Sequence, residues 1–285
     1  MKLIKQSFEF INQTDFSLVG IKKHIERCAR VSYKSEDKIT DTSYEKFVNM
    51  LESRGHDRPL EFGTVHLKMI LPDFQGFMNS LLTIGVLNNI WIKSAHVGDI
   101  VYITTNYRYY LDIIKYFPKV KEYFTEEDNE YYPKRYTIHM ILDRGVMDEF
   151  RTHVGLSHLA ESTRYVNYSK EKFGREVTFI EPCWEIKTAN EVITPEGTHM
   201  SSNSLEFLTA LNEAEDHYLS LLAKGWTPQQ ARSVLPLGIK SELISCGFED
   251  SWENFFKRRD APDAHPMAQE IAKPMHEEFL KLTKV

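Results

Sequence analysis

The densest run of chemically capable side chains lies between Asp148 and Lys170, DEFRTHVGLSHLAESTRYVNYSK. Its centre, Glu161-Ser162-Thr163-Arg164-Tyr165, sets two hydroxyls beside a guanidinium. Hydroxyls and backbone amides donate hydrogen bonds, and a guanidinium forks onto two oxygens, so the group suits a phosphate dianion. The plainer reading of the same residues is a polar turn between two elements. Ser162 is placed to bind rather than attack, because His153 and Glu161 lack the arrangement of a catalytic triad. A second candidate is Ala231 to Pro236, ARSVLP, where Arg232 sits in an apolar setting. If buried, such an arginine needs a partner; on a surface it snorkels. A third is Lys257-Arg258-Arg259. Basic residues at a helix end complement its dipole, and one turned inward would meet a ligand phosphate. Gly55-His56 with Leu60 to Thr64 reads, by spacing alone, as a helix stop and a strand start.

These residues need a frame. Ser43 to Arg54 carries Phe47, Val48 and Leu51 at helical spacing, followed by Gly55. Ser204 to Lys224 repeats leucines and stops at Gly225. Thr227-Pro228 starts a short helix that ends before Pro236. Asp250 and Glu253 resemble a capping box opening a helix to Arg259. A last helix carries Met267, Ile271, Met275 and Phe279, with a kink expected at Pro274. Strand signals sit between: Thr64 to Met69, Val101 to Thr105, Tyr136 to Leu142 and Glu176 to Ile180. The polar segment Thr125 to Tyr136 reads as an exposed loop and a candidate internal boundary. The expectation is an α+β fold, a central and mostly antiparallel sheet flanked by helices. Residues 1–285 are expected to form a single catalytic domain.

Composition narrows the function. The formal net charge is -6 and the pI is near 6.0. No global basic field exists to hold a nucleic-acid backbone, so any phosphate site must be local. Three widely spaced cysteines, Cys28, Cys183 and Cys246, argue against a disulfide framework, a structural zinc or any metal site. The opening MKLIKQSFEFINQ has no apolar signal core, and Leu81 to Ile92 is too short to span a bilayer. No membrane or nucleic-acid partner is expected, and a cytoplasmic location is.

Taken together and in order, these pieces resemble the flavin-dependent thymidylate synthases, the ThyX family. Ala29-Arg30-Val31-Ser32-Tyr33 comes first, then Gly55-His56 with Leu60-Glu61, then Arg135-Tyr136-Thr137. Asp143-Arg144-Gly145-Val146 leads to Glu161–Tyr165 and Asn167-Tyr168-Ser169-Lys170. Ala231 to Pro236, Asp250-Ser251-Trp252 running to Arg259, Ala264-His265-Pro266 and Gln269-Glu270 follow. The resemblance implies a homotetramer with FAD at subunit interfaces. It implies transfer of a methylene group from 5,10-methylenetetrahydrofolate to C5 of dUMP, with FADH2 regenerated by NADPH and no attacking cysteine. By the same resemblance Glu149, Ser162, Thr163, Arg164, Arg232 and Arg259 hold the nucleotide. Arg232 and Arg259 would also act catalytically, stabilising charge that develops on the pyrimidine. Ser32, Arg151, His153, Asn254 and His265 would contact the flavin.

One departure matters. The family hallmark is Arg-His-Arg, seven residues, then Ser; counting back from Ser162, this chain has Thr152-His153-Val154. Arg151 stands one position early. At about 1.5–3 kcal/mol for each charge-assisted hydrogen bond, two lost guanidiniums amount to a factor of roughly thirty to several thousand in affinity. Two further readings follow. One is altered chemistry, namely hydroxymethylation of dUMP, or methyl or hydroxymethyl transfer to dCMP. The other is a catalytically silent nucleotide-binding scaffold. His158 has no counterpart in the motif and reads as a satisfied histidine. Cys183, followed by Trp184, reads as a buried small residue.

Overall fold

Strands that alternate or run continuously apolar build two four-stranded antiparallel sheets. The structure is a computed structural model and describes residues 1–83, 85, 90–164, 166–184, 192–194, 197–199 and 202–284. Tyr165, Asn88 and Asn89 lie outside the described residues.

The first sheet runs, edge to edge, Ser7–Phe10, Arg135–Asp143, Lys240–Phe248 and Ser157–Ala160. Lys240–Phe248 pairs along its whole length with Arg135–Asp143, from Lys240 opposite Asp143 to Phe248 opposite Arg135. On its other side Leu243 faces Ala160 and Cys246 faces Ser157. Successive side chains of a strand point to opposite faces, and both faces here are covered. Ile244 and Cys246 join a core with the Leu18–Tyr33 helix residues Ile21, Ile25 and Cys28. Leu243 joins the opposite core with Trp252, Phe255, Phe256, Ile271, Met275 and Phe279. That core packs the Glu249–Arg259 and Pro266–Thr283 helices on the sheet, and Trp252 Nε1–H donates to the Tyr136 carbonyl at 3.0 Å.

The second sheet runs Ile92–Val97, Ile100–Asn106, Thr64–Ile70 and Phe124–Thr125. The segment expected as a loop, Thr125 to Tyr136, carries the chain from this sheet into the first. It is tied down on the way: Tyr132 stacks on His66 at 4.0 Å, and Lys68 pairs with Glu127 at 2.8 Å. A third apolar cluster gathers Val166, Tyr168, Val177 and Phe179 with Leu211 and Tyr218 of the Ser202–Ala223 helix. One parallel pair, Lys2–Ile4 with Thr178–Ile180, closes the chain start onto the middle of the sequence.

The fold is α+β, antiparallel sheets flanked by helices, as expected, with most strands divided between two four-stranded sheets and the rest in two-stranded pairs. Thr227 and Gln230 form a capping box at the short Pro228–Ala231 helix. The Asp250 expectation is corrected. The helix begins at Glu249 directly after the strand, Phe248 occupies the cap position without a side-chain bond, and Asp250 pairs with Lys93 instead. Cys183 is also corrected: it is exposed, because Pro182 takes the buried position beside it. The last helix continues through Pro274. Among the described residues no helix is long and apolar enough to cross a membrane.

Candidate active site

An open cleft of about 810 Å³ gathers six separated stretches of chain. Ser32 and Tyr33 end the first long helix, and Gly55 to Pro59 follow the second. Gly55 has φ +65°, a left-handed turn that suits glycine and sends the chain across the cleft wall. Arg144 and Arg151 bracket a short helix that Asp143 caps, its Oδ1 accepting from Val146 N–H at 2.8 Å. His158 to Arg164 supply the strand end and the polar turn, and Arg108 and Arg232 complete the lining. Six guanidiniums therefore face the cleft: Arg58, Arg108, Arg144, Arg151, Arg164 and Arg232. Asp57 and Glu161 oppose them within the lining, and from just outside it Glu61 pairs with Arg108 at 2.6 Å and Asp148 with Arg144 at 3.6 Å and Arg151 at 3.5 Å.

The polar turn is anchored through its backbone. Glu161 N–H donates to the Glu242 carbonyl at 2.8 Å, and Ser162 N–H reaches the Ser32 carbonyl at 3.4 Å. Arg232 Nη1–H donates to Thr163 Oγ1 at 3.0 Å, and Arg164 Nε–H to Gln229 Oε1 at 3.3 Å. Arg108 is held by Glu61 at 2.6 Å and lies over Trp91 at 5.1 Å; Glu61 also accepts from Ser157 Oγ at 2.6 Å. His158 is buried and satisfied on both nitrogens. Its Nε2–H donates to the His153 carbonyl at 3.1 Å, and its Nδ1 accepts from Ser245 Oγ at 2.8 Å. Burial pushes its pKa down to about 4, so it presents a neutral ring.

Beneath the turn lies a buried charge network. Glu161 Oε2 accepts from Lys240 at 2.9 Å, and Lys240 also contacts Glu242. Glu242 takes Lys34 on the same oxygen and His139 Nε2–H on the other at 2.9 Å. Burial pushes Glu242 up, yet the His139 hydrogen bond and the two lysines bring it well below the usual carboxylate range. Burial pulls Lys240 down, and its two carboxylates more than reverse that. Lys34 adopts a left-handed backbone, φ 49°, as the cap of its helix. That strain is tolerated where the surroundings fix the residue, here by the Glu242 pair and by Lys172 bonding the Lys34 carbonyl at 2.9 Å. Glu161 Oε1 is buried without a hydrogen-bond partner.

A second cluster stands behind the cleft. The Arg259 guanidinium donates to Glu149 Oε2 at 2.8 Å, the Glu149 carbonyl at 2.8 Å, Thr152 Oγ1 at 3.1 Å and His153 Nε2 at 2.9 Å. His153 is thus an acceptor. Burial first, then Arg259 and His158, hold its pKa down to about 4.

The stretch that carries most of this geometry also decides the family. Residues 134–283 match the model described as Thymidylate synthase complementing protein. The chain belongs to that family. Solved structures similar to this member are those of a UMP/dUMP methylase, PolB, from Streptomyces cacaoi. The form with 5-Br dUMP has a TM-score of 0.44 and 16% identity, over 99% of this chain and 93% of that one. The form with 5-Br UMP has the same score and identity, over 99% and 92%. Among curated proteins no relative matches the chain.

Within this family member, Ser162, Thr163, Arg164 and Arg232 meet at the cleft, with Ser32 and Arg151. Glu149, His153 and Arg259 meet one another behind it and do not line it. Thr152 is exposed, and Val154 is 83% exposed. Asn254 is exposed on the Glu249–Arg259 helix. His265 caps the last helix, its Nδ1 accepting from Met267 N–H at 3.3 Å. It lines a separate, mostly apolar pocket of about 330 Å³ with Trp184 and Glu149. The five residues expected at a flavin do not form one site within one chain. Arg58, Arg108 and Arg144 were not singled out from sequence. Arg58 lies between Gly55-His56 and Leu60-Glu61, and Arg144 follows the cap Asp143, so both sit inside recognised segments. Arg108 follows the cap Asn106 and carries no motif.

Proposed function

We propose that the chain is an enzyme that transfers a one-carbon group to C5 of a pyrimidine deoxynucleoside monophosphate, as flavin-dependent thymidylate synthases do in converting dUMP to dTMP. The observation that carries this reading is the cleft: six guanidiniums around a Ser162-Thr163-Arg164 turn, in a chain of net charge -6. A compact anion suits that concentration of like charge, of which Glu61 and Asp148 offset only part. The 5′-phosphate sits at Ser162, Thr163 and Arg164, and Arg232 faces the pyrimidine, where it stabilises charge that builds up as C5 reacts. Arg259 is a positioning residue that holds Thr152 and His153. By the family resemblance, methylenetetrahydrofolate would be the carbon donor, and the hydride, which no side chain can supply, would have to come from a flavin. A homotetramer would bring flavin-contacting residues together from different subunits.

A second reading is altered chemistry: a hydroxymethyl product, or dCMP as substrate. Thr152 and Val154, both exposed where the family has arginines, favour it. The test is the visible spectrum of protein mixed with FAD, desalted and titrated with dUMP, followed by product analysis with the folate. Retained flavin whose spectrum shifts with dUMP, and dTMP as product, support the first reading. A hydroxymethyl or cytosine product supports the second. Nucleotide binding with no product from either nucleotide would make the protein a silent scaffold.

A further inference from the structure

A second recess of about 320 Å³ opens beside the cleft. Tyr33 and His56 line both, and the Tyr33 hydroxyl bonds His56 Nδ1 at 3.3 Å, so these two side chains form the ridge between them. The left-handed turn at Gly55 carries the chain over, with Arg54 in the recess and His56 on the ridge. Phe47 lies in the recess with the Arg30 guanidinium over its ring at 4.4 Å. Arg30 is buried and neutralised by Glu26, its Nε–H donating to Oε1 at 2.7 Å. Lys38 and Arg54 differ. Both are exposed and, among the described residues, neither side chain makes a hydrogen bond or an ion pair. The lining of the recess contains no acidic residue.

Position decides what those two charges meet. The polar turn lies against the ridge: Ser162 N–H reaches the Ser32 carbonyl at 3.4 Å, and Ser32 directly precedes Tyr33. A phosphate on Ser162, Thr163 and Arg164 then stands beside the ridge, with the recess on the other side. A monophosphate ends there. One further phosphoryl group joined to it crosses the ridge and meets Lys38 and Arg54, a point charge and a planar fork that both suit phosphate oxygens. Two like charges lining one recess repel each other, and an anion between them relieves that repulsion. We propose that the recess is a second phosphoryl subsite, so that the cleft also takes a pyrimidine nucleoside diphosphate, in competition with the monophosphate. Its first phosphate lies on the turn and its terminal phosphate on Lys38 and Arg54. This rests on the reading of the cleft as a pyrimidine nucleotide site and names a further ligand class for it.

The experiment is calorimetric titration of the full-length protein with dUMP, dUDP and ADP at low salt, in wild type and in a double variant, Lys38→Gln with Arg54→Gln. Wild type is expected to bind dUDP about tenfold more tightly than dUMP, the size that two exposed charge contacts provide. dUDP should displace dUMP, and its advantage should shrink as salt rises. The double variant should weaken dUDP until the two nucleotides lie within about twofold. Both substituted side chains are exposed, and urea melts check that the variant keeps its fold. Equal affinities in wild type, or a preference for dUDP that survives the double substitution, overturns the subsite. Equal loss of dUMP and dUDP in the variant would place the two charges on the first phosphate and also overturn it. ADP binding as tightly as dUDP would give the recess to a different diphosphate and overturn the pyrimidine assignment. Failure of both dUMP and dUDP to bind wild type would overturn the nucleotide reading of the cleft itself.

Discussion

Arg164 and Arg232 are exposed side chains steadied by Gln229 and Thr163 at the cleft. Removing either leaves the cores untouched and takes one charge-assisted contact from a bound phosphate or base. Arg164→Ala and Arg232→Ala should each weaken nucleotide binding about tenfold to a hundredfold, with folding stability within roughly 0.5 kcal/mol of wild type. Titration and urea melts check both halves, and tight dUMP and dCMP binding by Arg164→Ala would sink the phosphate assignment. Arg259 is different in kind, because its four bonds hold Glu149, Thr152 and His153. Arg259→Ala should cost about 2 kcal/mol of stability. Arg259→Lys keeps the charge but not the fork, so it should recover only part of this. The phosphate turn was legible because hydroxyls beside an arginine state their chemistry locally. The link from Arg259 to His153 was not, since 106 positions separate them and neither residue carries a local sign of the other.

Hydrophobic period explains which elements could be read. Thr64–Ile70 and Ile100–Asn106 are rich in β-branched residues and form strands close to their expected bounds. Lys240–Phe248 is buried on both faces, so its sequence lacks the polar alternation that marks a half-buried strand. It is nonetheless the strand on which the site is hung. The Arg151–Leu156 loop comes against its end at Gly247. A methyl group there would stand 2.5 Å from Leu156 Cδ2 and 3.0 Å from the Gly155 carbonyl. Gly247→Ala should therefore shift the loop that carries Arg151 and His153. It should lower nucleotide affinity without removing any ligand contact, and an unchanged affinity would show that the loop absorbs the methyl. The Asp250 cap was misplaced because the helix follows the strand without a linker, so Phe248, in extended conformation, makes the junction. The cleft itself could not be outlined from sequence. Six stretches converge there, and although Arg58 and Arg144 lie inside recognised segments, Arg108 arrives through tertiary packing alone.

Across the whole molecule, four buried histidines set the response to acid. His24 is held down to about 3, and His66, His153 and His158 to about 4, chiefly by burial. Each lies below the ordinary 6.5, so between those values the unfolded chain binds more protons than the folded one. Their contribution is complete above about pH 6.5 and is lost as pH falls toward 4. Each histidine adds a slope of about 1.4 kcal/mol per pH unit. Glu242, depressed by its partners, acts in the same direction but yields only in strong acid. Urea melts at pH 5 and pH 7 should show a clear loss at the lower pH; equal midpoints would refute the buried neutral state. Charge is also unevenly placed. Six arginines crowd one cleft of a chain with net charge -6, so the exterior is more acidic than the total implies. The two fields have opposite sign and different range. Within a Debye length of the exterior, about 10 Å at 0.1 M salt, an approaching anion meets repulsion; inside the mouth it meets attraction. A mononucleotide can pass from one regime into the other, whereas a long polyanion keeps most of its charge outside. This placement of charge should therefore favour short anions over long ones at the cleft.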